Sequence, residues 1–364
     1  MSTLSEDDRK GLLVKCRSLL QAVQTPRETM VDHCWGQIGA ISAITFGVDC
    51  GLWVLMARNG DRAPKVIDLA TELEVDPKLL AEVNENEYKG TNFIKCLGIP
   101  QIGHGYIGLA LKFHEFSRKR DWVNPKDPKD TSLMQACCTD MDLFSWVDRQ
   151  GYLAEPNNYL AGYGVGRPRW FDPSVYPVKE RLMDSADPGH DAPFIVDIGG
   201  NVGHDLARFR TMYPDLPGKL ILQDLPQMIH QVRDLDPAIF PMDYDFHDEH
   251  PVKGARAYYL HSTLHNWPDG ICEIILNNIK IAMKPGDSRL LINEYIVLRT
   301  EAYWETTGLD MMMLSLFSSE ERTREDWVSL IERKVNLKVL NIWDAGKGVE
   351  GLIECEVAEK NDTF

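Results

Sequence analysis

The stretch "YYLHSTLHNWPD" sets His261 and His265 four residues apart behind a short apolar run. Two imidazoles at that spacing on one helix can ligate zinc, and one imidazole alone can act as a general base. The apolar "AYYL" before His261 reads as a strand that ends at this histidine, which breaks the helical register a shared metal needs. With no third ligand at motif spacing, no metal site is expected. His265 is left as a candidate base and His261 as its neighbour at a strand end.

A second constellation lies upstream. In "FIVDIGGNVGHDLARF" a strand ends in Asp197, passes through Gly199, Gly200 and Gly203, and opens a helix. Glycines there let a ligand approach the backbone closely, and a helix N-terminus favours polar or anionic groups. The next strand ends in "LQDLP", where Asp224 is placed to accept hydrogen bonds from ribose hydroxyls. This pair suits NAD or S-adenosylmethionine. The Gly-rich turn sits mid-chain behind a helical half, and no second Rossmann half follows, which favours S-adenosylmethionine.

The elements that must hold these residues follow from periodicity. In the first half, "GQIGAISAITFGVDCGLWVLMARNG", "KVIDLATELEVDPKLLAEV" and "SLMQACCTDMDLFSWVDRQGYL" carry apolar residues at helical spacing, and "NEYKGTNF" reads as a short strand or wing. The polar "MDSADPGHDAP" separates that half from the next, with the boundary near Asp184 to Pro193. Beyond it, "FIVDIGG", "KLILQDL", "ARAYYLH", "RLLINEYIV", "LKVLNIWD" and "GLIECEV" alternate with helical segments, the pattern of a mostly parallel sheet covered on both faces. The last two runs form a terminal antiparallel hairpin.

Composition narrows the function classes. Lys plus Arg number 39 against 55 Asp plus Glu, and a net charge of -16 repels a nucleic-acid backbone. The N-terminus carries acidic residues where a signal peptide has basic ones, and no apolar stretch approaches the roughly 18 residues of a membrane span, so a cytoplasmic protein is expected. The eight cysteines are scattered without C-x-x-C pairs, which reads as reduced, mostly buried thiols.

Six blocks, "VDIGGNVG", "QDLPQMI", "YYLHSTLHNWPD", "LLINEYIV", "LDMMML" and "ERTREDW", stand in an order and spacing that resembles a known family. It is the class I S-adenosylmethionine-dependent O-methyltransferases of the caffeic acid type, especially their fungal secondary-metabolite branch. The resemblance implies a Rossmann-like α/β catalytic domain, residues 186–364, with a seven-stranded mostly parallel sheet and a terminal antiparallel hairpin. A helical, winged-helix-like dimerisation and substrate domain, residues 1–185, would precede it, and its helices would intertwine in a homodimer.

Residue by residue, the resemblance makes His265 the general base, with Glu294 and Glu321 flanking its imidazole. Gly199 and Gly203 would line the methionine moiety, in a cofactor loop that also includes Asp197, Gly200 and Asn201. Asp224 would bind the ribose beside Leu225, Asp245 and Phe246 would sit by the adenine, Trp267 would close over it, and His261 would contact the cofactor. Phe144, Trp146, Tyr163, Trp170, Met311 and Met312 are candidates for the wall of a pocket for a small aromatic or polyketide-derived substrate. The "DMMML" run also suits core packing.

The chemistry agrees with that assignment. Methyl transfer from a sulfonium is an in-line displacement that needs no metal if the acceptor oxygen is held close and loses its proton as the bond forms. A phenol of pKa about 10 needs a base at neutral pH, and a histidine near 6.5 is a competent one. Related fungal folds have been turned to pericyclization or dehydration, which orient a reactive conformer without methyl transfer. A non-catalytic pathway partner is the third class the sequence allows. Three departures from the family pattern stand out: Asn201 replaces a glycine, Asn266 replaces an acidic residue, and a helical stretch is missing between "DPKLLAEV" and "NENEYKGTNF".

Overall fold

A computed structural model describes residues 5–31, 37, 47, 50–58, 65–77, 80, 112–150, 167–187, 189, 191–300, 302–344 and 349–358. The chain forms two compact units, one of residues 1–108 and 147–165, the other of residues 109–146 and 166–364. The sheet-containing unit therefore takes in 109–146 and 166–185, which the sequence reading assigned to the N-terminal domain. The winged segment "NEYKGTNF", the missing helical stretch and most of residues 36–49 lie outside the described residues.

In the first unit, helix α1 (Glu6–Val23) starts at an N-cap, Ser5, whose side chain accepts from the Asp8 amide. Helix α2 (Leu52–Arg58) follows Gly51, which takes φ +77°, and its Leu52, Trp53 and Leu55 pack with Leu69 and Ala70 of helix α3 (Val66–Glu72). The run "SLMQACCTDMDLFSWVDRQGYL" holds two helices, α4 (Ser132–Cys137) in the second unit and α5 (Leu143–Arg149), whose last three residues are counted with the first unit. Cys138 ends α4 in the left-handed conformation at φ 50°.

Seven strands make one sheet: β1 (Pro193–Ile198), β2 (Lys219–Asp224), β3 (Ile239–Asp243), β4 (Ala257–His261), β5 (Arg289–Glu294), β6 (Leu337–Trp343) and β7 (Gly351–Val357). Their order is β3-β2-β1-β4-β5-β7-β6, with β7 antiparallel to both β5 and β6 and the other pairs parallel. The terminal hairpin is as expected. β3 is the one strand that the apolar runs did not disclose. Pro241 interrupts it and offers no N–H, which an edge strand tolerates.

Alternate residues of the central strands feed two cores, as the period of two requires. Val196, Tyr258, Leu260, Leu290 and Ile292 face Ile275, Leu276 and Ile279 of helix α6 (Asp269–Ala282). Phe194, Leu220, Leu222, Ala257, Tyr259 and Leu291 face the other side with Trp170, Phe171 and Tyr176. Trp170 is 5% exposed and packs on Phe209, Tyr259, Tyr176 and Phe171 with ring centroids 5.0–5.8 Å apart. Expected in a pocket wall, it is a core residue, because the sheet face opposite α6 needs a large apolar cover. The six described cysteines are free, but only Cys272 and Cys355 are buried.

One buried group makes the fold sensitive to acid. His250 is fully buried, its Nδ1 lies 2.9 Å from the Val252 carbonyl, and burial lowers its pKa to about 4. The unfolded chain takes up a proton below about 6.5 that the folded chain refuses, so stability falls as pH drops from there and levels below about 4. The expected cost is roughly 3 kcal/mol. Thermal melts from pH 7 to pH 4 test this: His250→Phe should remove that part of the pH dependence, and identical profiles for both proteins would contradict it.

Candidate active site

The carboxyl ends of β1, β2, β4 and β5 converge at the point where strand order reverses between β1 and β4, the crevice where open α/β sheets bind ligands. Asp197, Asp224, His261 and Glu294 all stand at these ends.

The Gly-rich turn leaves β1 and enters helix α7 (His204–Met212) through Gly199, Asn201 and Gly203 at φ +73°, +55° and +85°. A Cβ at Gly200 would lie 2.5 Å from Leu222 and 2.6 Å from the Asp197 carboxyl carbon, so backbone and carboxylate are in close contact there. Asn201 takes the left-handed conformation, which asparagine tolerates better than most residues with a side chain. Its backbone N–H donates to Asp224 Oδ2 at 2.8 Å, and the Leu225 backbone N–H donates to Asp224 Oδ1 at 2.7 Å. Both Asp224 oxygens are thus oriented, and each keeps a lone pair to offer. Leu225 itself is exposed.

Asp197 is buried, and its Oδ2 has no hydrogen-bond partner among the described residues. Burial, reinforced by Asp205, pushes it well above the carboxylate range. An orphaned acid beneath a glycine turn is what a site for a polar, cationic ligand retains.

His261 does end β4, and its Nδ1 lies 2.6 Å from Oδ2 of Asp205, in the first turn of α7. Burial opposes its charge, but Asp205 outweighs that and raises the imidazole to about 9. Tyr259 also donates to Asp205, at 2.9 Å, so β4 is tied to the helix that carries the Gly-rich turn. Asp205 escaped the sequence reading; the available signal was an acid in the first helical turn after Gly203.

On the other side of the crevice Phe246 meets Trp267 edge to face at 5.8 Å, and His247 meets the same indole at 5.6 Å. Asp245 is exposed and accepts from the His247 amide at 3.0 Å, with His247 Nδ1 2.8 Å from the same oxygen. Phe246 and Trp267 are thus in contact, and His247, which the sequence reading did not single out, links Asp245 to the same indole.

His265 sits on a single 3-10 turn, Leu264–Asn266. Its Nδ1 lies 2.7 Å from Glu321 Oε1 and 3.6 Å from Glu294 Oε2. Glu294 turns its other oxygen to the backbone, accepting from Thr263 at 2.9 Å and Leu264 at 2.7 Å. Ionised carboxylates only accept, so the Nδ1 proton is the donor and a neutral ring carries its lone pair on Nε2. Burial opposes the imidazolium, but Glu294 and Glu321 outweigh it and raise His265 to about 9. The reference value near 6.5 therefore does not apply here. Asn266 donates its side-chain amide to the Ser262 carbonyl at 3.3 Å, a bond that an acidic residue at this position could not make.

Helix α8 (Trp304–Phe317) packs against this turn, and Asp310 Oδ1 accepts from the Glu321 amide at 2.8 Å. Met311 is exposed, Met312 half-buried and Met313 buried, so the methionine run serves both surface and core. Phe144 packs on Phe317 at 5.8 Å, Trp146 is half-buried, and Tyr163 lies outside the described residues. His265, Glu294 and Glu321 also fall within 4.8 Å of one another through ligand-type atoms. The short Nδ1 to Oε1 approach there is fully explained by a charge-assisted hydrogen bond.

Comparison with known proteins bears on this geometry. An O-methyltransferase domain model matches residues 178–334. The methyltransferase cfoC of Aspergillus candidus is 30% identical over 97% of this chain and 92% of its own. The O-methyltransferase asqD of Emericella nidulans is 36% identical over 75% of this chain and 72% of its own. The chain belongs to this O-methyltransferase family. Among solved structures, LepI in complex with SAM superposes with a TM-score of 0.86 at 25% identity, covering 98% of this chain and 95% of that one. A structure described as a pericyclic reaction enzyme gives 0.87 at 24% identity with the same coverage. This O-methyltransferase is an enzyme of the fungal secondary-metabolite branch, and S-adenosylmethionine is its cofactor. No helix among its described residues is long and apolar enough to cross a membrane.

Proposed function

We propose that this O-methyltransferase methylates a phenolic or enolic hydroxyl of a small aromatic or polyketide-derived metabolite, with His265 as the general base. The observation that carries the reading is the 2.7 Å contact between His265 Nδ1 and Glu321, which fixes the tautomer and leaves Nε2 as the basic atom. Glu294 orients the same turn through its backbone and adds the second negative charge.

Gly199, Gly200, Asn201 and Gly203 would hold the amino-acid end of the cofactor, with Asp197 and His261 beside it. Asp224 would hold the ribose, next to Leu225, and Asp245, Phe246 and Trp267 the adenine. When bound, the cofactor supplies an electrophilic methyl group on a sulfonium. His265 takes the hydroxyl proton as the oxygen attacks, and the two carboxylates stabilise the imidazolium that results. Phe144, Trp146, Tyr163, Met311 and Met312 remain candidates for the acceptor pocket.

A base raised to about 9 is protonated, and so inactive, over most of the neutral range. The sign is therefore an activity that rises with pH from about 7, is half-maximal at or below about 9 and levels above that, the sulfonium charge shifting the limb downward when cofactor is bound. Glu321→Gln removes one of the charges that raise the imidazole and should move the limb to lower pH. A flat wild-type profile over this range would contradict the assignment.

A cytoplasmic homodimer joined through its N-terminal helices completes the proposal. In its support, Leu12, Leu19 and Val23 lie on one face of α1 and are 51%, 64% and 66% exposed, a stripe that water covers poorly. Sedimentation at micromolar concentration is expected to give a dimer, and a monomer would contradict it. Pericyclization or dehydration is the second reading, supported by the likeness in fold to a pericyclic reaction enzyme. Conversion of a substrate without gain of a methyl group would favour it.

A further inference from the structure

We infer that Arg322 is a positioning residue for the base, holding the backbone of the His265 turn while its chain neighbour Glu321 holds the ring. The inference rests on the proposed role of His265. Arg322 is 1% exposed, and its guanidinium donates to the Leu264 carbonyl at 3.1 Å and to the Trp267 carbonyl at 2.8 Å. These carbonyls flank His265. Its Nε is fixed by Asp269 at 2.9 Å, and the cation lies 5.1 Å from the Trp327 ring centre.

The turn is thereby clamped from two sides. Its N–H groups, on Thr263 and Leu264, point to Glu294, and its C=O groups, on Leu264 and Trp267, point to Arg322. A one-turn helix has almost no stability of its own, so these charged partners set where the imidazole stands. Cys272 Sγ lies 3.2 Å from both carbonyls, but its single proton satisfies one at a time. Only a planar fork serves both, which a lysine, as a point charge, does not reproduce.

The test is Arg322→Lys in the full chain, read by steady-state kinetics, S-adenosylhomocysteine calorimetry and proton NMR of the His265 Nδ1–H. That signal is expected downfield of the amides and is identified by its loss in His265→Gln. The expected result is a fall in kcat of roughly tenfold to a hundredfold, with acceptor KM and S-adenosylhomocysteine affinity within about threefold of wild type and the imidazole signal displaced. Wild-type kcat with an unmoved signal would overturn the inference. If Arg322→Lys does not fold, Asp269→Ala, which frees Nε but keeps the cation, should lower kcat and displace the signal in the same direction; an unchanged protein would again overturn it. Full turnover in His265→Gln would defeat the base assignment instead, and the NMR signal still reports whether Arg322 sets the ring.

Discussion

His265→Gln is expected to lower methyl transfer by about a thousandfold while leaving S-adenosylhomocysteine affinity within about twofold of wild type. Glutamine fills much of the same space and can still donate to Glu321, so the buried carboxylates at 2.7 and 3.6 Å are not both abandoned. What it lacks is a basic nitrogen. Cofactor affinity survives because the groups proposed to hold it belong to the β1 and β2 ends and to the Phe246–Trp267 face, not to the imidazole. Parallel kinetics and calorimetry on one preparation check both halves. A variant that loses affinity and rate together would make His265 a cofactor ligand, and one that keeps its rate would remove it from the chemistry.

The second large effect is at Asp224. Asp224→Ala is expected to weaken S-adenosylhomocysteine binding by about a hundredfold, because charge-assisted hydrogen bonds to two ribose hydroxyls are worth about 1.5–3 kcal/mol each and some of that is recovered by water. The substitution also strips the acceptor from the backbone amides of Asn201 and Leu225, loosening the turn proposed to meet the cofactor. Calorimetric titration reads the loss directly. Affinity within a few-fold of wild type would show that the ribose is held elsewhere, and the argument from the end of β2 would fail with it.

Much of this site was legible in the sequence because the fold's own period placed it. Asp197, Asp224, His261 and Glu294 each close an apolar run, and an apolar run that ends in a polar residue is how a parallel strand delivers a side chain to the crevice. The sequence reading also separated His261 from His265: one ends a strand, the other stands on a turn, and they bond to different acids.

What was not legible depends on partners that only tertiary structure brings together. Arg322 and Asp205 look like ordinary charges on polar stretches, and their importance lies in carbonyls and an imidazole more than 50 residues away. Trp170 reads as a pocket-wall residue until Phe209 and Tyr259 are seen packed against it. β3 hides because Pro241 breaks its short apolar run, a residue that only its edge position accommodates. The pKa of His265 was likewise beyond composition, since it is set by two carboxylates from separate segments of the chain.

The most direct test is incubation of the purified protein with methyl-labelled S-adenosylmethionine and a panel of phenolic and enolic acceptors, with products analysed by mass. The expected result is label transferred to the oxygen of one acceptor class by the wild-type protein and not by His265→Gln. An acceptor that is converted by the wild-type protein to an isomeric or dehydrated product without label would contradict methyl transfer and assign this site to the repurposed chemistry.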